Sequence, residues 1–315
     1  MKPRLILAGG SGFLGQALAR HFSALGWDVV VLTREPSPSN SLARQVQWDG
    51  KTLAEWRREI DGASVVLNLA GRTVDCRYNA ANRRLILDSR VDSTRVLGEA
   101  IAHCATPPST WFNASTATIY RHTLGPAWDE SGEIGSTPEA KDEFSVDVAK
   151  AWEDAFFQAP APAVRKVALR SAMVLGCGRN SVFPVLCRLA RVGLGGRMGS
   201  GKQYVSWIHE TDFCRAIEFL IQRNELSGIV NLSSPNPVAN DSLMRSFREI
   251  CGVPFGFPAS EWMLELGAFF LRTETELIIK SRRVIPGRLL AAGFEFRFPE
   301  LTAALRDLKG VIRNP

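Results

Sequence analysis

The most informative segment of this 315-residue chain reads Leu5-Ile6-Leu7-Ala8-Gly9-Gly10-Ser11-Gly12-Phe13-Leu14-Gly15. Its apolar residues predict a buried strand, its glycines a tight turn, and the residues that follow an amphipathic helix. Glycine is required where such a turn is tight, where the backbone approaches a pyrophosphate, and where the helix packs closely on the strand. The free N–H groups at the start of the helix would then bind the pyrophosphate. The segment therefore predicts a dinucleotide-binding turn, with a glycine-rich turn that binds no ligand as the alternative.

The first half of the chain alternates short apolar runs with longer amphipathic ones. After the glycine turn, the spacing of Leu14, Leu18, Phe22 and Leu25 places an apolar stripe on one helix face. Strands that alternate with helices and are apolar on both faces are typical of a parallel sheet covered on both sides. This pattern predicts an α/β fold with strands at residues 4–8, 29–33, 45–48, 65–69, 111–115 and 167–175, and with further helices at 84–101 and 140–157.

Beyond about residue 175 the pattern becomes irregular. A strand is predicted at residues 204–208, helices at 212–222 and 242–250, and a mainly helical region from 261 to 315 that includes a helix at 262–271. Chains longer than about 250 residues tend to divide their core. We therefore expect two domains, a nucleotide-binding domain at residues 1–175 and a smaller domain at 176–315 that is partly interleaved with the first.

The composition excludes several classes of protein. Lysine and arginine number 38 against 32 aspartate and glutamate, a net charge of +6 without long charged runs, so nucleic-acid binding is not indicated. No stretch of about 20 apolar residues could cross a membrane, and the apolar start is too short for a signal peptide. The 6 cysteines are scattered without C-x-x-C spacing. We expect a cytoplasmic monomer or homodimer, with a small-molecule substrate and no metal site.

The end of the second predicted strand indicates the type of dinucleotide. In NAD-binding folds an acidic residue about twenty residues after the glycines binds the ribose 2′-hydroxyl. Here the strand ends in Val31-Leu32-Thr33-Arg34-Glu35, and the guanidinium of Arg34 could hold a 2′-phosphate with two hydrogen bonds. The sequence thus favours NADP(H) over NAD(H). In the alternative, Arg34 is a solvated surface residue and Glu35 binds the ribose.

Further motifs make the chain similar to a known family. The glycine turn, Asn68-Leu69-Ala70-Gly71 and Ala114-Ser115-Thr116-Ala117-Thr118-Ile119-Tyr120 resemble the short-chain dehydrogenase/reductases. Four later motifs resemble their atypical epimerase-family members of the 39U type. These are Asp88-Ser89-Arg90-Val91, Gly199-Ser200-Gly201-Lys202-Gln203-Tyr204, Ser206-Trp207-Ile208-His209 and the region Arg283–Phe294.

The resemblance implies a Rossmann-type doubly wound parallel sheet with a smaller, mainly helical C-terminal substrate domain, and an NADP(H) site. It places three residues on the substrate side: Gln203, Trp207 and His209. Thr116 would hydrogen-bond the substrate. The cofactor-binding residues that it implies are Gly9, Ser11, Gly12, Phe13, Leu14 and Gly15 at the pyrophosphate, Arg34 at the 2′-phosphate, Trp48 and Asp49 near adenine, Leu69, Ala70, Gly71 and Arg90 along the phosphate and ribose path, and Ala172, Met173 and Val174 beside the nicotinamide.

One feature of the superfamily is missing. Its acid/base group is a tyrosine four residues before a lysine, whose charge lowers the pKa of the phenol. Only 3 tyrosines are present, and the residues four positions after them are Asn82, Leu124 and Ile208. Alignment with the family places Ser145 at the tyrosine position and Ala149 at the lysine position, while Lys150 lies about 100° around the helix. The usual proton relay is therefore absent.

Other groups could take over proton transfer. Tyr120 follows the fifth predicted strand, and His209 lies in the substrate-side motif. Asp147 and Lys150 lie on the relevant helix. For each of these residues, packing or solvation is the alternative role.

A phosphate-binding loop of the kinase type is not predicted. Residues 196–203 contain Gly-Lys, but Gln203 replaces the serine or threonine that would bind Mg²⁺. The order of predicted helix, loop and strand is also reversed. We expect a substrate-side loop here.

Two functions fit these observations. The first is an NADP(H)-dependent oxidoreductase or epimerase of atypical short-chain type, with an unknown substrate and a proton donor at a new position. The second is a non-catalytic NADP(H)-binding redox sensor or regulator, which agrees with the cell-division-inhibitor label that some members of the resembled group carry.

Overall fold

The computed structural model describes residues 2–37, 43–178, 180–260, 262–265 and 276–313. The strands are β1 (Arg4–Ala8), β2 (Asp28–Thr33), β3 (Arg44–Gln47), β4 (Val65–Asn68), β5 (Thr110–Thr116), β6 (Arg165–Ser171), β7 (Met173–Leu175), β8 (Tyr204–Val205), β9 (Trp207–His209), β10 (Gly228–Leu232) and β11 (Val238–Ala239). The helices are α1 (Phe13–Ala24), α2 (Ala80–Ala102), α3 (Glu143–Phe157), α4 (Val182–Arg191), α5 (Glu210–Gln222), α6 (Asn240–Cys251), α7 (Glu276–Ile279), α8 (Gly287–Ala291) and α9 (Leu301–Arg313). Two 3₁₀ turns span Glu55–Glu59 and Ala117–Ile119.

The central sheet contains seven strands within the described residues, in the order β10-β6-β5-β4-β1-β2-β3. Every neighbouring pair is parallel. The strand order reverses between β1 and β4, and this is the point where doubly wound folds bind ligands beyond the carboxyl ends of their strands. The α/β fold class and the Rossmann-type sheet that the sequence predicted are therefore confirmed.

The apolar side chains of β1 point alternately to the two faces of the sheet, and both faces are covered. Leu5 and Leu7 join the core that also contains Phe22 of α1 and Ile217 of α5, whereas Ile6 joins the opposite core with α2. Successive side chains of a strand point to opposite faces, so both faces need apolar residues. All three β1 side chains are fully buried, which contributes about 1.5–3 kcal/mol each.

A separate apolar cluster lies in the second half of the chain. It joins Phe183 of α4, Trp207 of β9, Phe247 of α6 and Leu305 of α9. However, α5 and β10 also follow residue 175, and they belong to the central sheet and the layer that covers it. Residues on both sides of position 175 thus build the central sheet and its covering layer, and the division into two domains at residue 175 stays a prediction.

Two predicted strands are each divided in the structure. The predicted strand at 167–175 breaks at Ala172, whose N–H donates to Leu232 O (2.9 Å), and β7 leaves the central sheet to pair with β9. The predicted strand at 204–208 divides at Ser206, whose hydroxyl donates to Arg282 O (2.8 Å). Residues 262–265 are helical, and the rest of the helix predicted at 262–271 lies outside the described residues.

Candidate functional site

The glycine turn lies at the carboxyl end of β1, and its glycines are required by close contacts. Gly9 has φ +72°, and a Cβ there would lie 2.7 Å from the Cα of Ala70. A Cβ on Gly15 would lie 2.3 Å from the Cα of Gly10. Non-bonded carbon atoms do not approach each other this closely. Glycine at position 15 is therefore needed to pack α1 against the turn, and glycine at position 9 to pack the turn against the loop after β4.

The amino terminus of α1 is open to a ligand. Gly12 is its N-cap residue and makes no side-chain cap hydrogen bond, and a Cβ on Gly12 would meet nothing within 4 Å. Ser11 and Gly12 are exposed, while Phe13 and Leu14 are partly buried at the first turn. The first N–H groups of a helix have no partner within the helix and favour anions. This arrangement fits a pyrophosphate.

Arg34 and the residues after β3 lie side by side at the same edge of the sheet. Arg34 follows β2 directly and is exposed, with no ion pair or hydrogen bond among the described residues. Trp48 follows β3, is buried, and packs edge-on against Trp56 with 5.3 Å between ring centroids. The Asp49 carboxylate accepts hydrogen bonds from the Thr52 hydroxyl (2.6 Å) and N–H (2.9 Å), which lower its pKa.

A buried amide network holds the loop after β4, on the opposite side of the glycine turn. Asn68 Nδ2 donates to Thr94 Oγ1 (3.1 Å) and Asn113 Oδ1 (2.8 Å), and Asn68 Oδ1 accepts the N–H of Ala70 (3.0 Å). Trp152 Nε1 of α3 also donates to Thr94 Oγ1 (3.0 Å). The network fixes Leu69, Ala70 and Gly71 beside Gly9. The sequence motif marked this loop, but not its partners on α2, β5 and α3.

Arg90 of α2 lies directly beneath that loop. Its guanidinium donates to the carbonyl oxygens of Arg72 (3.1 Å) and Ile86 (3.0 Å), and its Cζ lies 5.1 Å from the ring centroid of Trp152. A Cβ on Gly71 would lie 3.2 Å from Arg90 Cζ. Burial lowers the pKa of Arg90 to about 10, so the side chain keeps its positive charge at neutral pH.

Ala172, Met173 and Val174 connect β6 to β7 at the carboxyl edge of the sheet. All three are partly exposed. The N–H of Met173 donates to Ser206 O (3.2 Å). Backbone bonds to two different elements, Leu232 on one side and Ser206 on the other, therefore hold this connection beside the end of β5.

The two residues suggested for catalysis have different surroundings. Thr116 ends β5 and is partly exposed, and its hydroxyl oxygen accepts the N–H of Thr118 (3.1 Å), which leaves the hydroxyl proton to donate elsewhere. Tyr120 is 1% exposed, and its hydroxyl donates to Asn231 Oδ1 (2.8 Å). Burial raises the pKa of Tyr120. These contacts favour the packing role of Tyr120 over proton transfer.

Replacing Tyr120 with phenylalanine should lower the free energy of unfolding by about 1–3 kcal/mol, because the buried Asn231 acceptor loses its donor. The affinity for NADPH, the cofactor that the sequence predicts, should not change. Urea unfolding and a fluorescence titration with NADPH measure the two quantities. A loss of NADPH affinity with unchanged stability would place Tyr120 in the binding site instead.

The three residues expected on the substrate side are buried within the fold. Gln203 Nε2 donates to Met198 O (2.7 Å), and Trp207 Nε1 donates to Asn236 O (3.0 Å). His209 caps α5 by accepting the N–H of Thr211 (3.0 Å), and burial lowers its pKa. Each side chain is at most 4% exposed, so these contacts hold the loop and strand in which the residues lie.

A polar cluster that sequence reasoning missed lies between the start of α3 and residues 276–282. Ser145 on α3 donates a hydrogen bond to Glu276 Oε1. Next to it, Lys280 forms a buried ion pair with Asp142 and donates to Thr118 O (2.5 Å). Glu276 and Lys280 are over 130 residues away from their partners in the sequence, and no local pattern signals such pairing.

Two further groups complete this cluster. Arg282 donates to the Thr118 hydroxyl (3.2 Å). Tyr78, from the loop before α2, packs edge-on against Phe144 and lies beside Ser145 and Glu276. Burial raises the pKa of Tyr78 to about 12. A cavity of about 630 Å³ opens here, lined by Tyr78, Phe144 and Glu276 among others.

Within the residues that the structure describes, no group of three histidine, cysteine, aspartate or glutamate side chains could hold a metal ion. In the same residues, no helix is long and apolar enough to cross a lipid bilayer. The six cysteines are free thiols.

The comparisons with known proteins cover almost the whole chain. The epimerase family protein SDR39U1 of Bos taurus is 31% identical over 309 residues, which are 97% of this chain and 99% of that protein. The crystal structure of human SDR39U1 (isoform 2) with NADPH superimposes with a TM-score of 0.85 at 28% identity, covering 98% and 99% of the two chains. The nucleoside-diphosphate sugar epimerase of Corynebacterium glutamicum gives 0.77 at 27% identity, covering 99% of this chain and 59% of that one.

Two sequence families match different parts of the chain. Residues 259–308 match a domain of unknown function, DUF1731, and residues 5–233 match the NAD dependent epimerase/dehydratase family. The second match spans well over half of the chain, and it contains both the glycine turn and the loop after β4. The similarity to the 39U-type proteins that the motifs predicted is confirmed, and this protein belongs to the NAD dependent epimerase/dehydratase family.

Proposed function

We propose that this protein binds NADP(H) and is an oxidoreductase or epimerase of the atypical short-chain type, acting on a small molecule. Arg34 is the residue that favours NADP(H) over NAD(H). It is exposed at the end of β2, at the sheet edge where α1 begins, and it pairs with no carboxylate in the described part of the chain. A guanidinium there suits a 2′-phosphate. The human relative with bound NADPH supports the same choice.

Different residues of the chain would bind different parts of the cofactor. The N–H groups from Ser11 to Gly15 would bind the pyrophosphate, and Arg34 the 2′-phosphate. Trp48 and Asp49 would border the adenine. The bound cofactor would supply or accept a hydride at its nicotinamide. The other proposed contacts are Gly9, Leu69, Ala70, Gly71 and Arg90 along the ribose path and Ala172, Met173 and Val174 beside the nicotinamide.

Thr116 would orient the substrate. Its hydroxyl lies at the end of β5, next to the connection that would border the nicotinamide, and it keeps a proton to donate to a substrate oxygen. We also propose that residues 1–175 form the cofactor-binding domain and that residues 176–315 close over its nicotinamide end.

Replacing Arg34 with aspartate should weaken NADPH binding by about 10-fold to 100-fold, because a charge-assisted pair is lost and a like charge meets the 2′-phosphate. NADH has no 2′-phosphate, so its affinity should change by less than about threefold. Calorimetric titration of the purified protein with each cofactor measures both constants.

Arg306 provides the matched control for this substitution. It is exposed on α9, far along the chain from the glycine turn, and Arg306→Asp makes the same change of charge. It should leave both affinities unchanged. An equal loss of NADPH and NADH affinity in Arg34→Asp would reject NADP(H) selectivity. If the unaltered protein binds neither cofactor at tens of micromolar, the proposed function is wrong.

The second candidate is a non-catalytic NADP(H)-binding sensor or regulator. It is favoured by Ser145 and Ala149 at the positions of the usual tyrosine and lysine, and by the burial of Tyr120 and His209. Incubation of bound NADPH with a panel of carbonyl compounds and nucleotide sugars separates the two candidates. Oxidation of NADPH by one of them supports the enzyme, and the absence of oxidation across the panel supports the sensor.

A further inference from the structure

We propose that Ser145 and Glu276 form a proton-transfer pair that replaces the missing tyrosine and lysine. This inference rests on the proposed function, because it assumes that a nicotinamide cofactor binds at the carboxyl edge of the sheet. One observation carries it: the Ser145 hydroxyl on α3 donates a hydrogen bond to the Glu276 carboxyl. The resemblance to the short-chain family implies that Ser145 stands where the catalytic tyrosine would be.

Accessibility divides the pair into an outer and an inner group. Ser145 is partly exposed, whereas Glu276 is 8% exposed. A substrate oxygen could therefore reach the hydroxyl, while the carboxyl is largely shielded from bulk water. The adjoining cavity of about 630 Å³ is lined by Glu276 and Phe144 and not by Ser145 itself, and it leaves room for a small molecule beside the pair.

The groups around Glu276 come from three parts of the chain. Tyr78 approaches from the loop before α2, Asp142 from the start of α3, and Lys280 and Arg282 from the segment that follows Glu276. Burial raises the pKa of Glu276, and Asp142 adds to this effect, whereas the Ser145 hydrogen bond, Arg282 and Lys280 oppose it. A carboxyl with a raised pKa retains its proton closer to neutral pH, as a proton donor requires.

Lys280 is anchored elsewhere and is therefore not the inner group of the relay. It is 1% exposed, it pairs with Asp142, and it donates to the carbonyl oxygen of Thr118. Tyr78 is hydrogen-bonded to Ser145, and burial raises its pKa to about 12, so its hydroxyl stays protonated at neutral pH. Both side chains position the pair by holding the start of α3 against the segment that carries Glu276.

The proton count of the reducing direction is balanced. A hydride from the reduced nicotinamide forms the new C–H bond of a carbonyl substrate, and the π electron pair moves to its oxygen. In this direction Glu276 starts protonated and donates to Ser145 Oγ, the reverse of the hydrogen bond that Ser145 donates to the carboxylate in the structure. The substrate oxygen would then take the Ser145 proton while Ser145 takes the Glu276 proton. The carboxylate that remains is reprotonated from water, and the reverse direction uses the same groups as bases.

The test is the number of protons released when each form of the cofactor binds. The oxidised nicotinamide ring carries a positive charge that the reduced ring lacks, and a positive charge near Glu276 favours its carboxylate. NADP⁺ should therefore release more protons than NADPH. The 2′-phosphate is common to both, so its own titration cancels in the difference. Calorimetry of the whole protein in two buffers with different ionisation enthalpies, repeated from pH 5 to pH 8, gives this difference.

Two variants and one control show which residue releases the extra proton. Glu276→Gln should bind NADP⁺ and lose the excess release, while Asp154→Asn, which changes an exposed carboxylate of α3 away from the cavity, should keep it. Ser145→Ala should move the release maximum to higher pH, because the Ser145 hydrogen bond lowers the pKa of Glu276. A serine that does not contact Glu276 in solution would not move that maximum.

The outcomes separate this inference from the proposed function. If neither cofactor binds, the proposed function fails. If both bind and NADP⁺ releases no more protons than NADPH, the proton-transfer pair is refuted, whether or not the variants fold. An excess that persists in Glu276→Gln also refutes it, as does an unchanged pH maximum in Ser145→Ala.

Discussion

Replacing Gly15 with alanine should lower the free energy of unfolding by about 1–3 kcal/mol and should weaken NADPH binding by about tenfold or more. The added Cβ would lie 2.3 Å from both the Cα and the carbonyl oxygen of Gly10. Neither atom belongs to a flexible side chain, so α1 must move away from the turn. Moving the helix would take its first N–H groups away from the proposed position of the pyrophosphate, and each charge-assisted hydrogen bond is worth about 1.5–3 kcal/mol.

Gly12 and Gly310 separate the effect on binding from the effect on stability. A Cβ at either position meets nothing within 4 Å. Gly12→Ala should keep the stability of the protein and weaken NADPH binding, because its methyl group would occupy the space in front of α1. Gly310 lies within α9, so Gly310→Ala should raise the free energy of unfolding by up to about 1 kcal/mol and leave binding unchanged.

Urea unfolding, monitored by circular dichroism, and calorimetric titration with NADPH measure the three variants side by side. If Gly15→Ala unfolds and binds like the unaltered protein, the close contact between α1 and the turn is not needed. If Gly12→Ala binds NADPH with full affinity, the pyrophosphate does not pass in front of α1.

The sequence predicted the features that depend on short-range pattern. The segment from Leu5 to Gly15 contains the apolar run, the glycines and the helical period within eleven positions, and its structure follows from local sterics. The alternation of Leu5, Ile6 and Leu7 between two faces required a sheet that is covered on both sides. The fold class and the position of the turn could therefore be predicted before any tertiary contact was known.

The surroundings of the candidate catalytic residues could not be predicted in this way. His209 and Trp207 belong to a motif of the resembled group, but a motif does not state which way a side chain points, and both are buried. Glu276 meets Ser145 across a separation of 131 residues. A contact between residues so far apart in sequence depends on how the C-terminal segment packs back onto α3. The periodicity of apolar residues and the turn residues do not encode that packing.

A buried ion pair fastens α3, the helix that carries Ser145, to the sheet. Arg170 of β6 donates to both carboxylate oxygens of Glu153 on α3, through Nε to Oε1 and through Nη2 to Oε2, each at 2.8 Å. The Ser115 hydroxyl of β5 donates to Oε1 (2.5 Å), and the guanidinium carbon lies 4.8 Å from the ring centroid of Tyr120. The side chains of Arg170 and Glu153 are only 4% and 9% exposed.

Replacing Arg170 with methionine should lower the free energy of unfolding by about 3–5 kcal/mol, because the Glu153 carboxylate stays buried without its counter-charge. The double variant Arg170→Met with Glu153→Gln should recover part of this loss, since it removes both charges. Arg58 provides the control: it pairs with Glu55 at 2.6 Å, but both side chains are over 75% exposed, so Arg58→Met should cost less than about 1 kcal/mol. Urea unfolding at pH 7 compares the three. A loss in Arg170→Met no larger than that in Arg58→Met would show that the pair does not hold α3 in place.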